Sequence, residues 1–203
     1  MLVYGLLAGA VGLVAALHLL GPLVTWLLLG RWQPADGPRI DGRVAVVTGA
    51  STGVGRETAL ALARLGATVV LGIRSDERGR ETEAALRDEI VRGVLRAAPR
   101  STTGGAMAGR VEYMKLDLAD LASVRSFAMA VSAKWPRVDI LVNNGGLNNT
   151  GVPTAQISPT RQGIEEVYGV NYLGHFLLTV LLLPAMRAAA EQNGDGSGAK
   201  WRN

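Results

Sequence analysis

The stretch Thr48-Gly49-Ala50-Ser51-Thr52-Gly53-Val54-Gly55 decides the fold of this chain. It follows the apolar run at residues 44–47 and precedes a segment whose apolar residues recur at helical spacing. Between a strand and a helix, Gly49 allows a tight turn, Gly53 lets the backbone approach a pyrophosphate, and Gly55 lets the helix pack close to the strand. The N–H groups that begin the helix then face the phosphates, so the stretch predicts a dinucleotide site.

The residues after this stretch complete a strand–helix–strand unit. Gly66 stands where the helix would end, and residues 68–71 form a second apolar run typical of a buried strand. This order of elements favours a phosphate-binding loop over a glycine turn that only reverses the chain. The residues that recur at helical spacing between the two strands are Val54, Thr58, Ala61, Leu62 and Leu65.

A second signature, Asn143-Asn144-Gly145-Gly146, follows the strand-like residues 138–142. Together with the TGxxxGxG spacing that begins at Thr48, it resembles the short-chain dehydrogenase/reductase family, whose members carry NNAG after the fourth strand. Gly145 stands in place of the usual alanine. Residues 163–166 and 170–178 resemble the membrane-attached, retinol-dehydrogenase-like branch of that family. The likeness covers about residues 40 to 190.

The resemblance implies an α/β fold, a Rossmann-type doubly wound parallel sheet of which these residues would form about four strands. It also implies that Asn171 is the family's catalytic asparagine, which helps to hold the active-site lysine and a proton-relay water. Without the resemblance, a hydrogen-bonded core asparagine would be the simpler interpretation. The cofactor-binding residues that it implies are Thr48, Gly49, Ser51, Thr52, Gly53, Val54, Gly55, Arg74, Ser75, Asp117, Leu118, Asn143 and Gly145.

The form of the coenzyme depends on the residues after the second strand. Arg74 stands there, at about the ~20-residue offset where an NAD site would hold a carboxylate on the ribose 2′-hydroxyl. A guanidinium can instead accept a 2′-phosphate, which predicts NADP, with NAD as the alternative because Asp76 and Glu77 are near. In the family, the position of Asp117 borders the adenine ring, whereas a carboxylate there could also cap the next helix.

A long helix is predicted for residues 165–190, because apolar residues recur through it at helical spacing. Asn171 interrupts its apolar face with a polar group, and Pro184 is expected to bend or shorten it. The apolar face is predicted to comprise Val167, Val170, Leu173, Phe176, Leu177 and Val180.

The amino-terminal residues predict a membrane anchor. Residues 2–29 contain no charged side chain, and ~20 apolar residues suffice to cross a bilayer as a helix. The domains expected are an anchor at residues 1–30, a linker at 31–41, and the first part of a dinucleotide-binding domain at 42–203. The arginines that follow the anchor favour a cytosolic face of the endoplasmic reticulum membrane, while Gly21-Pro22 leaves a re-entrant hairpin on a lipid droplet open.

Composition excludes several other functions. The chain has no cysteine, so disulfides, thiol catalysis and cysteine zinc sites are excluded. His18 and His175 are the two histidines and lie far apart in sequence, so no metal site is expected. The net charge of +4 comes from scattered arginines rather than a clustered basic face, which argues against nucleic-acid binding. The sequence does not indicate an oligomeric state.

The family transfers protons with a Tyr-x-x-x-Lys pair, aided by a serine, and this pair does not occur here. The three lysines, Lys115, Lys134 and Lys200, are preceded four residues earlier by Val111, Ala130 and Gly196. We expect the cofactor half of an NADP(H)-dependent oxidoreductase acting on a membrane-borne lipid alcohol or carbonyl of the retinoid, polyprenol, dolichol or steroid type, with negligible turnover by these residues alone. The alternative is a truncated, non-catalytic isoform that binds dinucleotide or a partner at a membrane.

Overall fold

A computed structural model of the chain describes residues 39–96, 109–148 and 159–194. The anchor predicted at residues 1–30 and most of the linker predicted at 31–41 lie outside the described residues. The boundaries of those two segments therefore stay predictions.

The described residues form a parallel sheet of four strands in the order β3-β2-β1-β4. In mid-sheet, Val47 of β1 pairs with Leu71 of β2 on one side and with Val142 of β4 on the other. Strand order therefore reverses direction at β1, which is the arrangement that creates a binding crevice at the carboxyl edge of such sheets. This confirms the predicted α/β, doubly wound fold. The strands are β1 Val44–Thr48, β2 Thr68–Ile73, β3 Arg110–Lys115 and β4 Ile140–Val142.

Helices cover both faces of the sheet and build a separate core on each. On one face, α1 (Gly53–Arg64) and α2 (Asp76–Arg96) pack against Ala45, Val47, Val69 and Leu71. The near-continuous apolar sequence of the strands follows from this arrangement, because both of their faces are buried. On the other face lie α3 (Leu121–Lys134), α4 (Glu166–Tyr168), a π-helical segment (Gly169–Gly174) and α5 (His175–Gly194).

Helix α1 follows the glycine stretch as predicted, but it buries a different face. Gly66, with φ of 105°, follows its last turn and donates its N–H to the carbonyl of Ala63 at 3.0 Å. Val54, which the spacing placed among the periodic residues, is 75% exposed. Small side chains bring the helix close to the sheet, and apolar periodicity underweights such residues. The buried residues are Gly55, Ala59, Leu60 and Ala63.

The helix predicted at residues 165–190 is present as α4, the π-helical segment and α5, and Pro184 lies within α5 without ending it. Its predicted apolar face is partly wrong, because Phe176 and Val180 are 58% and 50% exposed. A π turn bonds i to i+5, so the inward face returns at a wider spacing than in an α-helix. The buried positions there are Gly169, Val170, Gly174, His175, Leu178, Leu182, Ala185 and Ala189.

Within the part of the chain that the structure describes, Glu166–Gln192 is long and apolar enough to cross a membrane. In the structure, Leu178 and Leu182 of this helix pack with Phe127 of α3 in one core cluster. These contacts are those of a core helix, and core helices of globular domains can be as long and as apolar as a helix that spans a membrane.

Candidate functional site

The carboxyl edge of the sheet carries a groove at the point where strand order reverses. Gly49, which lines the groove, and Gly53, at the start of the following helix, have positive φ angles of 65° and 57°. A positive φ favours glycine, because in other residues it brings the Cβ atom too close to the carbonyl oxygen that follows it. The groove is lined by Gly49, Gly72, Arg74, Leu116, Asp117, Leu118, Gly145, Gly146, Leu147 and Val170.

The three glycines of the TGxxxGxG stretch serve three different purposes. A Cβ on Gly49 would lie 2.6 Å from the Cα of Gly145, so the two turns touch through backbone alone. A Cβ on Gly55 would collide with the Asn144 side chain and with the Gly49 carbonyl, so Gly55 makes room for a side chain as well as for helix packing. Gly53 has nothing within 4 Å of its Cβ position. Its backbone is therefore open to an incoming group.

The start of α1 is suited to an anion. Thr52 is its N-cap residue, yet its side chain makes no capping hydrogen bond, and no acidic residue stands in the first turn. The positive end of the helix is thus not compensated by its own side chains. Thr52, Gly53 and Val54 are exposed and Ser51 is half-buried. The predicted residues of this stretch therefore lie together, with backbone N–H groups directed outward from a helix terminus.

Thr48 and Asn144 join the two sequence signatures. The Thr48 hydroxyl accepts hydrogen bonds from the backbone N–H of Asn144 at 2.9 Å and of Gly145 at 2.8 Å. In return, Asn144 Nδ2 donates to the carbonyls of Thr48 at 3.0 Å and of Gly49 at 3.3 Å. Asn144 was absent from the predicted site residues, although it stands inside the second signature. Its neighbour Asn143 instead donates to Thr179 Oγ1 on α5 at 3.0 Å.

A buried histidine extends this network, and sequence reasoning gave it no role. His175 is 6% exposed, and its Nε2 lies 2.8 Å from Thr48 Oγ1. Its Nδ1 lies 3.3 Å from the carbonyl oxygen of Asn171. Burial lowers the pKa of the imidazole, and the hydrogen bond to Asn171 opposes that shift only in part, so the ring is favoured in its neutral form.

Asn171 lies in the π-helical segment, and its side chain forms hydrogen bonds with the chain after β4. Its Oδ1 accepts from the Leu147 N–H and its Nδ2 donates to the Leu147 carbonyl, both at 2.9 Å. The Asn171 side chain thus forms hydrogen bonds with both the N–H and the carbonyl of Leu147. Short π-helical segments occur often at functional sites. The lysine and water that the family resemblance implies for Asn171 remain a prediction.

The residues after β2 and β3 form the opposite side of the groove. Arg74 is exposed at its rim, and the Ser75 hydroxyl accepts from the Arg78 N–H at 3.3 Å at the start of α2. Asp117 lines the groove, and its Oδ1 accepts from the Ala119 N–H at 3.0 Å in the turn after β3. The helix cap considered for Asp117 is made instead by Asp120, whose side chain accepts from the Ala122 N–H at the start of α3. Leu118 is 8% exposed and would contact a Cβ at Gly145.

The carboxylate of Asp76, whose position near Arg74 is a reason to keep NAD as the alternative coenzyme, has partners on β3. It accepts from the Tyr113 hydroxyl at 2.8 Å and pairs with Lys115 Nζ. The hydrogen bond from Lys115, followed by that from Tyr113, lowers the pKa of Asp76. Burial and then the hydrogen bond to Asp76 raise the pKa of Tyr113 to about 12. The negative charge nearest to Arg74 in sequence is therefore neutralised locally.

A family model described as short chain dehydrogenase matches residues 43–99 and 96–196. Among curated proteins, mouse polyprenol dehydrogenase is 42% identical over 170 residues, covering 84% of this chain and 44% of that protein. Human retinol dehydrogenase 14 is 39% identical over 184 residues, covering 91% of this chain and 51% of that protein. The chain thus spans about half the length of these relatives.

Solved structures share the fold. A metagenomic short-chain oxidoreductase in complex with NADP matches with a TM-score of 0.56 and 34% identity, over 73% of this chain and 58% of that one. The Pseudomonas aeruginosa RhlG/NADP complex matches with a TM-score of 0.56 and 28% identity, over 78% and 52% of the two chains. Both pairs of chains correspond over the larger part of the described residues.

Proposed function

Because the chain belongs to the short-chain dehydrogenase family, we propose that it forms the coenzyme-binding half of an NADP(H)-dependent oxidoreductase for membrane-borne lipid alcohols or carbonyl compounds. The observation that carries the proposal is the open backbone at Gly53, the first residue of α1, at a helix terminus without a side-chain cap. That terminus lies where strand order reverses, which is where such sheets bind dinucleotides. Bound there, the nicotinamide would supply the hydride acceptor or donor.

The chain's own residues fit the pyrophosphate. Positive φ at Gly49 and Gly53 turns the backbone between the end of β1 and the start of α1. Thr52 leaves the first-turn N–H groups without a side-chain cap, so they are suited to phosphate oxygens. Val54, the second residue of α1, is 75% exposed, and a coenzyme bound at this terminus would cover it.

The proposal favours NADP over NAD for an electrostatic reason. Arg74 stands at the rim of the groove and offers a fork of donors that matches a phosphate. Asp76, the nearest carboxylate in sequence, is occupied by Tyr113 and Lys115. At Asp76, a 2′-phosphate bound by Arg74 would therefore meet a carboxylate that is already paired. Two related proteins, the metagenomic oxidoreductase and RhlG, are solved with NADP, which supports the same choice.

The substrate class and the location rest on the relatives and on the amino-terminal sequence. Polyprenol and retinol, named in the two curated relatives, are apolar alcohols. The uncharged residues 2–29 would hold the domain at the surface where such alcohols partition. We place the domain on the cytosolic face of the endoplasmic reticulum membrane, with the lipid droplet as the alternative.

Asn171 is proposed as the catalytic asparagine of the complete site, acting with a tyrosine and a lysine. These 203 residues contain no Tyr-x-x-x-Lys, so the chain by itself would bind coenzyme without a proton donor of that kind. The second candidate function is a dinucleotide-binding isoform at a membrane without turnover. Both candidates require the same coenzyme site.

The test is a titration of the detergent-solubilised chain with NADPH and with NADH, followed by the change in coenzyme fluorescence. We expect NADPH to bind more tightly. The Val54→Asp variant should lose at least about tenfold in affinity, because a carboxylate would face the phosphates. Stability should be unchanged or slightly higher, because Val54 is exposed and an acidic residue suits the first turn of a helix.

Val54→Asn is the matched control, since it has the same shape as the aspartate but no charge. Equal NADPH affinity in the wild type and Val54→Asp would contradict the proposed site. Retinol or polyprenol oxidation by the purified chain at an ordinary enzymatic rate would exclude the non-catalytic function.

A further inference from the structure

The Thr48 hydroxyl lies within hydrogen-bond distance of several polar groups, and it can bond them only if each proton takes a definite position. A hydroxyl carries one proton and two lone pairs. Both lone pairs are used by the N–H groups of Asn144 and Gly145, at 2.9 and 2.8 Å. The proton has two possible acceptors, His175 Nε2 at 2.8 Å and the Val142 carbonyl at 3.3 Å. The shorter distance directs it to the imidazole.

This arrangement decides the tautomer of His175. If Nε2 carried a proton, a third donor would point at an oxygen whose lone pairs are already used. Nε2 is therefore the acceptor, and the ring proton sits on Nδ1, where it reaches the Asn171 carbonyl at 3.3 Å. The lowered pKa of the buried ring agrees with this neutral state.

We infer that His175 is a positioning residue that fixes the Thr48 hydroxyl and thereby holds the turn after β4 against the coenzyme-binding turn after β1. It acts through Thr48, since the two N–H groups of Asn144 and Gly145 are oriented only while the hydroxyl proton points away from them. The effect on coenzyme affinity rests on the proposed function, whereas the hydrogen-bond arrangement does not.

The same ring links both turns to the π-helical segment. Its Nδ1 side bonds the carbonyl of Asn171, whose side chain closes both backbone groups of Leu147. Thr48, His175 and Asn171 thus form one chain of hydrogen bonds from β1 to the backbone that follows β4. Loss of the ring would remove one hydrogen bond from the Thr48 hydroxyl and one from the Asn171 backbone carbonyl together.

The first experiment reads the tautomer directly in the full chain without coenzyme. Nitrogen-15 NMR of selectively labelled histidine, with His18→Gln to leave one imidazole, should give the pattern of a protonated Nδ1 and an unprotonated Nε2 at neutral pH. A protonated Nε2, or a charged ring, would overturn the inference whether or not the chain binds NADPH.

The second experiment compares two substitutions of similar size. His175→Leu removes the nearer acceptor of the Thr48 proton and leaves it only the longer contact to the Val142 carbonyl, so it should weaken NADPH binding by about 5- to 100-fold. His175→Gln offers an amide oxygen in place of Nε2 and should restore affinity to within about threefold of the wild type. A merely structural role for the ring, as a space filler, predicts the reverse order, because leucine fills the apolar part of the site at least as well as glutamine.

The outcomes separate this inference from the proposed function. Equal affinity in the wild type and a folded His175→Leu chain would overturn the positioning role. If His175→Leu does not fold, failure of His175→Gln to bind while it unfolds at the wild-type urea concentration would overturn it instead. A wild-type chain that binds neither NADPH nor NADH would refute the proposed function, and the NMR result would still decide the hydrogen-bond arrangement.

Discussion

A Cβ on Gly49 would lie 2.6 Å from the Cα of Gly145, so the turns that follow β1 and β4 meet backbone to backbone. These turns come from strands that are adjacent in the sheet but far apart in sequence. Their contact explains why the second signature must carry a small residue where the family has alanine. Alanine at Gly145 would have its Cβ 2.9 Å from a terminal methyl of Leu118, a side-chain end that can rotate away.

Gly49→Ala is predicted to be strongly destabilising, because it adds a backbone clash to an unfavourable φ of 65°. Gly42→Ala is the matched control, since Gly42 has a φ of 75° and nothing within 4 Å of its Cβ position. The control should lower the free energy of unfolding by about 1 to 2 kcal/mol, the cost of the left-handed backbone alone. Gly49→Ala should exceed the control by at least about 1 kcal/mol in urea unfolding. Equal losses would contradict the contact.

Arg74→Ala is predicted to change coenzyme selectivity rather than overall binding. Removing a charged donor from a phosphate oxygen should weaken NADPH binding by about 10- to 100-fold. NADH affinity should change little, because NADH lacks the 2′-phosphate. The two dissociation constants can be measured by fluorescence titration.

Arg92→Ala controls for the loss of an exposed positive charge, since Arg92 lies on α2 and bonds the Asp88 carbonyl of that helix. It should leave the ratio of the two affinities unchanged. A parallel loss of NADPH and NADH affinity in Arg74→Ala would show that Arg74 does not read the 2′-phosphate.

The fold could be predicted from sequence because its signals are local. The apolar run before Thr48, the glycine spacing and Gly66 all act within one strand–helix–strand unit. The inward faces of the helices were harder to predict. In α1 the buried face consists of glycine and alanine with one leucine, Leu60, and in the last helix the π turn changes the spacing of the inward face.

The hydrogen bonds of the site could not be predicted in the same way. Asn144 and His175 form hydrogen bonds with Thr48 although they lie 96 and 127 positions away in sequence. Contacts between residues so far apart leave no periodic pattern in the sequence. Thr48 itself was predicted only as a cofactor-binding residue. The structure gives it a second role as the acceptor that aligns two backbone N–H groups. An apolar helix with a histidine between glycine and phenylalanine gives no comparable signal.

Asn171→Ala is predicted to release the chain after β4. Loss of the two hydrogen bonds to Leu147 should lower the free energy of unfolding by about 1 to 2 kcal/mol. More specifically, the Leu147 amide should exchange its hydrogen faster, because Asn171 Oδ1 is its acceptor at 2.9 Å.

Asn171→Asp tests the geometry of this pair. It keeps an acceptor for the Leu147 N–H but faces the Leu147 carbonyl with an oxygen in place of Nδ2. Its stability should therefore resemble that of the alanine variant, while its Leu147 amide stays more protected. Unchanged exchange of that amide in Asn171→Ala, measured by NMR, would refute the interaction.

Tyr113 predicts a loss of stability at alkaline pH. Its pKa in the folded chain is raised from 10.0 to about 12, first by burial and then by the hydrogen bond to Asp76. Between those values the unfolded chain loses the phenolic proton while the folded chain keeps it, so unfolding becomes easier as pH rises. The contribution of Tyr113 is fully present below pH 10 and is lost as pH rises through about 12.

The measurement is urea unfolding at pH 9 and pH 11, values chosen to lie on either side of the ordinary phenol pKa of about 10. The Tyr113→Phe chain has no phenolic proton there and should lose less stability over this interval than the wild type. All other titratable groups are present in both chains, so the comparison isolates the Tyr113 hydroxyl. Equal pH dependence of the two chains would mean that the Tyr113 hydroxyl titrates alike in the folded and unfolded states, and that its bond to Asp76 does not hold in solution.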